Sequence, residues 1–286
     1  MDFFRLLTLN VFGAAQDATS FFRWRGIPAA ARLSHPKLIE LAASVDIACF
    51  QEVFLREAEE FFDSLPHAQK HRDTNETDWR SLTFGGSGLG LATRFPRVGG
   101  GVVRYSPPHE RAERFARKGM LHATLDASGH RIDVITTHMQ SGCDESDRRV
   151  RGRQIDELAS LVARVVAHDE ACIVCGDLNI DGLLGSSAEF DRLRRALDGF
   201  EDLGGSEGAP TFVPRREANP LAHLYDQDHP IVRIDYVWFR PPRSGAIRAR
   251  GPVVVLREAL DESTDPPLHA SDHFGLLATF ETVKTP

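Results

Sequence analysis

Side chains able to carry out chemistry recur at the ends of short apolar runs in this 286-residue chain. They are Asn10, Gln51-Glu52, His138 with Gln140, Asp177 with Asn179, Asp235, and Ser271-Asp272-His273. A carboxylate beside a buried run is costly to desolvate unless a partner stabilises it. One such group alone is typical of a turn or a cap. Six groups in the same position favour a shared cleft that contains a metal.

The residue types indicate the chemistry of that cleft. Glu and Asp carboxylates and an Asn carbonyl oxygen are ligands that Mg²⁺ accepts, with water at its remaining positions. Mn²⁺ accepts the same ligands. His138 and His273 add imidazoles that can transfer protons near neutral pH. The sequence therefore predicts a metal-assisted acid–base site.

The elements that must position these groups are short. Apolar runs rich in Val, Ile, Thr and Phe, bounded by polar, Gly or Pro residues, are typical of β-strands. They are 5–10, 46–52, 88–95, 120–125, 131–138, 171–179, 233–239, 251–256 and 274–280. Helical spacing of apolar residues occurs over 145–168, over 56–65, around 190–197 and after Ser34, a candidate N-cap. This order predicts an α/β fold with layers of sheet and helix around one core, in a single domain over 1–286.

Two segments depart from the strand and helix patterns. The glycine cluster at 99–101 predicts a turn or a bulge. The stretch 203–232, which precedes Asp235, predicts a long functional loop that shapes the substrate pocket.

Six motifs resemble those of the endonuclease/exonuclease/phosphatase superfamily of metal-dependent phosphoesterases, in the same order and over nearly the whole chain. They are LTLNV around Asn10, FQEV at 50–53, TTHMQ at 136–140, GDLN at 176–179, RIDYV at 233–237 and SDHFG at 271–275. A single motif of this length arises by chance, but six in order are specific. The resemblance implies a four-layer α/β sandwich, in which two packed, mainly antiparallel sheets are flanked by helices.

The resemblance also implies a role for each residue. Glu52 is the main metal ligand, supported by Asn10 and Asp272. His273 is the general base that activates water, and Asp235 holds its ring.

The resemblance implies that the remaining catalytic residues contact the reactants. Asp177 and Asn179 contact the nucleophile or the phosphoryl oxygens, and His138 binds the phosphate. The implied activity is a Mg²⁺-dependent phosphodiesterase that uses a His-activated water.

The substrate class is indicated by weaker features. HMQSG after Thr137 looks like the THxQ element of neutral and bacterial sphingomyelinases, and 116–125 resembles a KG-containing strand of that family. A phospholipid at a membrane surface is therefore the expected substrate. A nuclease acting on DNA or RNA, including abasic sites, is the alternative, and a non-catalytic binding protein on the same fold is a further one.

Aromatic residues near the first motif are candidates for contact with a membrane. Phe21, Phe22 and Trp24 alternate with Arg residues, a pattern that suits the headgroup level of a bilayer. The alternative is that these rings pack beneath a loop as a satellite of the core.

Composition excludes several classes of protein. The chain has 34 Lys+Arg against 41 Asp+Glu, a formal net charge of −7, and 42% hydrophobic residues. This is too apolar for a disordered chain, and the acidic balance argues against bulk coating of nucleic acid. Of the four cysteines, Cys49, Cys143, Cys172 and Cys175, three sit in or beside apolar runs, which predicts small core side chains rather than a zinc or redox site. Cys172 and Cys175 are three apart on a predicted strand and are therefore expected to face opposite sides of it. The start of the chain has no signal-sequence pattern, which predicts a cytoplasmic location, or secretion if a signal has been removed. No protein partner is implied, and a monomer is expected.

Overall fold

The computed structural model describes residues 3–13, 29–73, 86–109, 117–167, 169–183, 187–204 and 208–283. Phe21, Phe22 and Trp24 lie outside the described residues. The strands are β1 Phe3–Asn10, β2 Ile47–Gln51, β3 Gln69–Arg72, β4 Gly90–Thr93, β5 Arg97–Arg104, β6 Gly119–Ala127, β7 His130–His138, β8 Ala171–Asp177, β9 Glu201–Asp202, β10 Asp235–Arg240, β11 Ile247–Val255 and β12 Gly275–Thr282. The helices are α1 Ala29–Leu33, α2 Pro36–Ser44, α3 Arg56–Ser64, α4 Glu145–Val165, α5 Ala188–Ala196 and α6 Pro220–Asp226. Within these ranges, no helix is long and apolar enough to cross a membrane.

Two six-stranded sheets organise the described residues. The strand orders are β11-β12-β1-β2-β4-β3 and β5-β6-β7-β8-β10-β9. Each sheet contains one parallel pair, β1 with β2 and β7 with β8, and its other pairs are antiparallel. The predicted α/β sandwich with two mainly antiparallel sheets is therefore confirmed.

Apolar residues fill three spaces between these layers. The space between the sheets holds side chains such as Phe4, Ile47, Val134 and Phe280. The outer face of the first sheet is covered by α2 and α3, and that of the second sheet by α4 and α5. This gives the order helix, sheet, sheet, helix, because each amphipathic element buries its apolar face against the next.

The cysteines follow the alternation of a strand. Cys172 packs beneath the helices, whereas Cys175, three residues further along β8, lies between the sheets. All four cysteines are free thiols. The prediction that Cys172 and Cys175 face opposite sides of one strand is therefore confirmed.

The parallel pairs bring the candidate groups to one edge of the sandwich. Asn10 at the end of β1 pairs with Gln51 at the end of β2, and His138 pairs with Asp177 in the same way. Asp235, which begins the antiparallel β10, lies opposite Asp177. Since β12 runs antiparallel to β1, the residues just before β12 reach the same edge.

The start of α2 differs from the prediction that Ser34 is its N-cap. His35 is the N-cap, and its Nδ1 accepts from the backbone N–H of Lys37 at 3.3 Å. The hydroxyl of Ser34 instead donates to the carbonyl oxygen of Ala30 at 2.7 Å. The Ser34 hydroxyl is therefore bonded to α1, a helix that the sequence pattern did not predict.

The two irregular segments are also more ordered than predicted. Gly99 to Gly101 lie within β5 and pair with β6, with a register shift after Arg97, so the bulge is confirmed and the turn is wrong. The stretch 203–232 contains α6 and the bridge between Phe212 and Val232.

Candidate active site

Asn10 connects the two sheets at the edge where the candidate groups meet. Its Nδ2 donates to Glu52 Oε1 at 3.0 Å and to Asp177 Oδ2 at 3.1 Å. Its Oδ1 accepts from the backbone N–H of Phe12 at 3.0 Å. In this orientation Asn10 orders both carboxylates. It would have to rotate its amide to offer oxygen to a cation.

The backbone is strained at the residues that follow three of the strand ends. Phe12, Glu52 and Asn179 have φ values of 49°, 61° and 53°. Residues with a Cβ rarely occupy this left-handed region. Such strain persists where the surrounding structure imposes it, and it is concentrated at functional sites. The local geometry thus supports this edge as the site.

One oxygen of Glu52 has no partner among the residues that the structure describes. This atom, Oε2, is shielded from solvent and accepts no hydrogen bond from them. Burial, reinforced by the charge of Asp272, raises the pKa of Glu52 to about 7. A shielded carboxylate oxygen without a donor is costly, and a divalent cation relieves that cost. The residues present therefore fit a metal ligated by Glu52.

His273 and Asp235 form a buried pair. His273 Nδ1 lies 2.8 Å from Asp235 Oδ2, and His273 Nε2 lies 3.8 Å from Asp177 Oδ2. Burial lowers the pKa of His273, but Asp235, Asp272 and Asp177 outweigh it and hold that pKa well above its ordinary value. To act as a base, His273 must lose its proton. Once His273 is neutral, the negative charge of these carboxylates needs another positive partner. A bound cation would supply it.

Two residues of the 203–232 stretch hold the loops that carry this pair. The Thr211 hydroxyl accepts from the backbone N–H of Asp235 at 3.2 Å, and the Thr211 carbonyl accepts from that of Phe274 at 2.7 Å. Asn219 Nδ2 donates to the carbonyls of Ser271 and Asp272 at 2.9 and 3.1 Å. Sequence reasoning placed function in this stretch but did not identify either residue.

Asp177 accepts hydrogen bonds on both oxygens. Its Oδ1 accepts from the backbone N–H of Asn179 at 3.0 Å, and its Oδ2 accepts from Asn10 Nδ2 at 3.1 Å and lies 3.3 Å from His138 Nε2. Burial is the main reason that the pKa of Asp177 is raised to about 6. Asn179 Nδ2 donates to the carbonyl of Met139 at 3.1 Å, which fixes its side chain beside the strand end.

Lys118 is a site residue that the sequence analysis missed. It is buried, and its Nζ lies 3.0 Å from His138 Nε2 and donates to the Met139 carbonyl at 2.6 Å. Burial, followed by the positive charges of Lys118 and His273, holds the pKa of His138 well below its ordinary value. His138 is therefore neutral. The KG step in 116–125 was the signal that could have identified Lys118.

Gln51 and Gln140 tie elements together instead of facing the cleft. Gln51 Nε2 donates to Thr8 and Thr136 at 3.2 and 3.0 Å, which links the two sheets. The backbone N–H of Gln140 donates to Gln154 of α4 at 2.8 Å. These two residues therefore stabilise the elements that carry the site.

The structure thus brings the predicted catalytic and metal residues into one network. The donor atoms of Asp177, Asp235 and His273 lie within 4.8 Å of one another and could also hold a metal ion. The shielded, unpartnered oxygen of Glu52 makes its carboxylate the better primary ligand.

This arrangement can activate water beside a centre that gains negative charge. An imidazole oriented by a carboxylate takes a proton, and carboxylates that hold a cation place positive charge at the reacting ester. Neutral His138 beside the Lys118 ammonium adds polar groups at the end of β7. These are the parts that hydrolysis of a phosphoester needs.

A model of the Endonuclease/Exonuclease/phosphatase family matches residues 7–273, and the chain belongs to that family. The resemblance deduced from the motifs is confirmed. The family consists of hydrolytic phosphoesterases.

Relatives of two kinds share this fold. Sphingomyelinase C 2 of Leptospira interrogans serogroup Icterohaemorrhagiae serovar Lai (strain 56601) is 22% identical in an alignment of 253 residues that covers 82% of this chain and 39% of that protein. A Staphylococcus aureus beta toxin variant with bound magnesium ions has a TM-score of 0.70 at 15% identity, covering 97% of this chain and 99% of the toxin chain. D. rerio TDP2 complexed with single strand DNA product has a TM-score of 0.71 at 16% identity, covering 98% and 99%. The chain therefore spans about two fifths of the length of its sphingomyelinase relative.

Proposed function

We propose that the protein is a Mg²⁺-dependent phosphodiesterase that hydrolyses a phospholipid of the kind that sphingomyelinases cleave. The observation that carries this proposal is the His273–Asp235 pair, held at 2.8 Å, at the same strand edge as the unpartnered Glu52 oxygen. Base, orienting acid and cation ligand are thus all supplied by this chain. A non-catalytic binding protein would have no need for that combination.

The metal would be held by Glu52, with Asn10 and Asp272 beside it. When bound, it supplies positive charge where the phosphoryl oxygens become more negative. Mg²⁺ is proposed because the donors are oxygens, and Mn²⁺ would be accepted by the same set.

The other residues position and activate the reactants. His273 takes the proton of the attacking water at Nε2, while Asp235 accepts from Nδ1 and fixes the tautomer. Asp177 and Asn179 contact the water or a phosphoryl oxygen, and His138 contacts the phosphate. Hydrolysis then breaks one phosphodiester bond and leaves a phosphomonoester and an alcohol.

The lipid substrate is supported by the TTHMQ motif and by the sphingomyelinase relative. The second candidate is a nuclease, since the TDP2 structure with single strand DNA product superposes on nearly the whole chain. A nuclease would need a cleft with cationic side chains along an extended strand and would lose affinity steeply as salt is added.

A parallel turnover assay with Mg²⁺ decides between these substrates. It would use sphingomyelin, phosphatidylcholine, abasic DNA, intact DNA and a phosphomonoester, with His273→Ala as the control for contaminating activity. The proposal expects sphingomyelin to turn over fastest and His273→Ala to abolish that signal. Efficient cleavage of DNA with no phospholipid hydrolysis would refute the lipid proposal and support the nuclease.

A further inference from the structure

Arg32, the penultimate residue of α1, is a buried cation that reaches the backbone beside the candidate metal ligands. Its side chain belongs to a residue that is 1% exposed. Its Nη1 donates to the carbonyl oxygens of Val11 at 3.2 Å and Ala270 at 2.8 Å, and its Nη2 donates to that of Phe12 at 3.0 Å. The guanidinium therefore joins the segment that follows β1 to the segment that precedes β12.

On the β1 side, Arg32 holds the strained residue Phe12, whose φ is 49°. The guanidinium carbon also lies 5.6 Å from the centroid of the Phe12 ring. The backbone N–H of Phe12 donates to Asn10 Oδ1, and Asn10 Nδ2 donates to Glu52 Oε1. Strain of this kind persists only where the surroundings impose it. Arg32 is thus part of what imposes the conformation that turns Asn10 towards the Glu52 carboxylate.

On the β12 side, Arg32 holds the segment that carries Asp272. The carbonyl that it binds belongs to Ala270, two residues before Asp272. Burial raises the pKa of Asp272, and the positive charges of His273 and, to a smaller extent, Arg32 oppose that rise. Arg32 is therefore near enough for its charge to act on the Asp272 carboxylate, while its hydrogen bonds act on the backbone beside it.

The two carboxylates on either side of this link repel each other. After burial, the charge of Asp272 is the largest influence that raises the pKa of Glu52. Like charges favour separation unless the backbone around them is fixed. A cation site that uses both carboxylates therefore needs a support that resists their repulsion before the cation binds.

We propose that Arg32 is a positioning residue for the cation site, because its guanidinium holds the segments of Asn10 and Asp272 at one spacing before the cation binds. It acts through backbone carbonyls and not as a ligand. The proposal rests on the metal assignment made for the catalytic cleft. It does not depend on whether the substrate is a lipid or a nucleic acid.

The sign of the change in Mg²⁺ affinity separates positioning from the other roles of a buried arginine. A guanidinium near a cation site repels the cation, so removal of its charge alone should tighten Mg²⁺ binding. Loss of positioning should weaken Mg²⁺ binding instead, because the protein must then order the two segments when the ion binds. A residue that only stabilises the fold would change the melting temperature and leave the affinity of the folded protein unchanged or higher.

Calorimetric titration of the full chain with Mg²⁺, without substrate, measures this affinity. We expect Arg32→Met, which keeps the apolar stem, to raise the Kd for Mg²⁺ by about 10- to 100-fold. Arg32→Lys keeps the charge but not the planar fork, and its affinity should fall between those of the Met variant and the parent. Arg94→Met is the matched control, since Arg94 donates to the carbonyls of Ala43 and Val45, at the other end of β2 from Glu52. It is expected to bind Mg²⁺ like the parent protein.

Circular dichroism checks that each variant is folded, and Arg32→Lys against the parent decides the question if Arg32→Met fails to fold. Mg²⁺ binding by the folded Met variant that is unchanged or tighter would overturn the positioning role and leave the metal assignment intact. Arg32→Lys with the affinity of the parent, where it alone folds, or an equal loss in Arg94→Met would overturn it as well. Absence of Mg²⁺ binding by the parent protein would instead refute the metal assignment, and the role of Arg32 with it.

Discussion

The carboxylate of Glu52 combines three features that a structural acid would not need. It follows the end of β2, it has a left-handed backbone, and one of its oxygens has no donor in the described part of the chain. An uncompensated, shielded charge is unfavourable for folding. A cation bound to the Glu52 carboxylate would compensate this cost, which is the reason to assign the residue to metal binding.

Glu52→Gln therefore separates metal binding from folding. The change keeps the shape and removes the charge, so the metal-free protein should melt at or above the parent temperature. The Mg²⁺-induced rise in melting temperature should be lost, and turnover should fall on the order of 10²–10³-fold. Glu60→Gln, an exposed change on α3, is the control. Unchanged turnover of Glu52→Gln at limiting Mg²⁺ would refute the metal assignment.

The pH dependence of Mg²⁺ binding follows from the same carboxylates. Glu52 has a pKa of about 7, above its ordinary value of 4.5, so it favours the fold while protonated and loses that contribution as pH rises through 7. Protons compete with Mg²⁺ for the ionised form, and affinity should fall as pH drops from 8 to 5. Calorimetric titrations at several pH values measure this. A flat profile would show that Glu52 is not a ligand.

At the scale of elements, the functional residues at the strand ends could be predicted from the sequence. The residues that hold those strand ends in place could not. The strands β2, β8 and β10 are buried over all or nearly all of their length, and β1 and β7 over most of theirs, because both faces of each sheet are covered. Polar residues at the ends of such runs stand out in the sequence. Asn10, Glu52, His138, Asp177, Asp235 and His273 were therefore predicted to lie together, and the structure places them in one network.

Elements without an apolar run were missed for physical reasons. β3 is QKHR, an edge strand that is half exposed, and β5 carries three successive glycines. Backbone pairing with β4 and β6 forms these strands in spite of their composition. Supports such as Asn219, Thr211 and Lys118 act through a few hydrogen bonds between distant segments, which no local sequence pattern records.

Asn219→Ala tests whether α6 positions the catalytic loop. Asn219 caps α6 through Leu221 and Ala222 and also holds the Ser271 and Asp272 carbonyls. Its loss should cost about 2 kcal/mol of unfolding free energy and also lower kcat. Ser187→Ala is the matched control, since Ser187 caps α5 without touching the site. It should cost about 1 kcal/mol and leave kcat unchanged. Equal kcat in both variants would limit Asn219 to a structural role.

At the scale of the whole molecule, the net charge of −7 argues against bulk binding of nucleic acid, whereas the proposed lipid substrate lies at a membrane surface. Trp24 is a proposed contact with that surface. Trp24→Ala should weaken liposome binding more than it slows hydrolysis of a soluble short-chain analogue, because only the first requires insertion of the ring. Vesicle sedimentation and turnover measure the two quantities. Equal losses in both would place Trp24 in the core.

The central claim concerns a pair that only the whole fold can assemble, since Asp235 and His273 lie 38 positions apart. A double-mutant cycle on the hydrolysis rate at saturating Mg²⁺ tests it, with folding checked for each variant. His273→Ala should cost on the order of 10²–10⁴-fold. Asp235→Asn should cost a similar factor, since it can reverse the hydrogen bond and select the wrong tautomer, a change worth about 10⁴-fold in serine proteases. Because the two residues act as one unit, the account predicts a double variant little worse than His273→Ala alone. Losses that multiply, or an Asp235→Asn protein nearly as active as the parent, would contradict it.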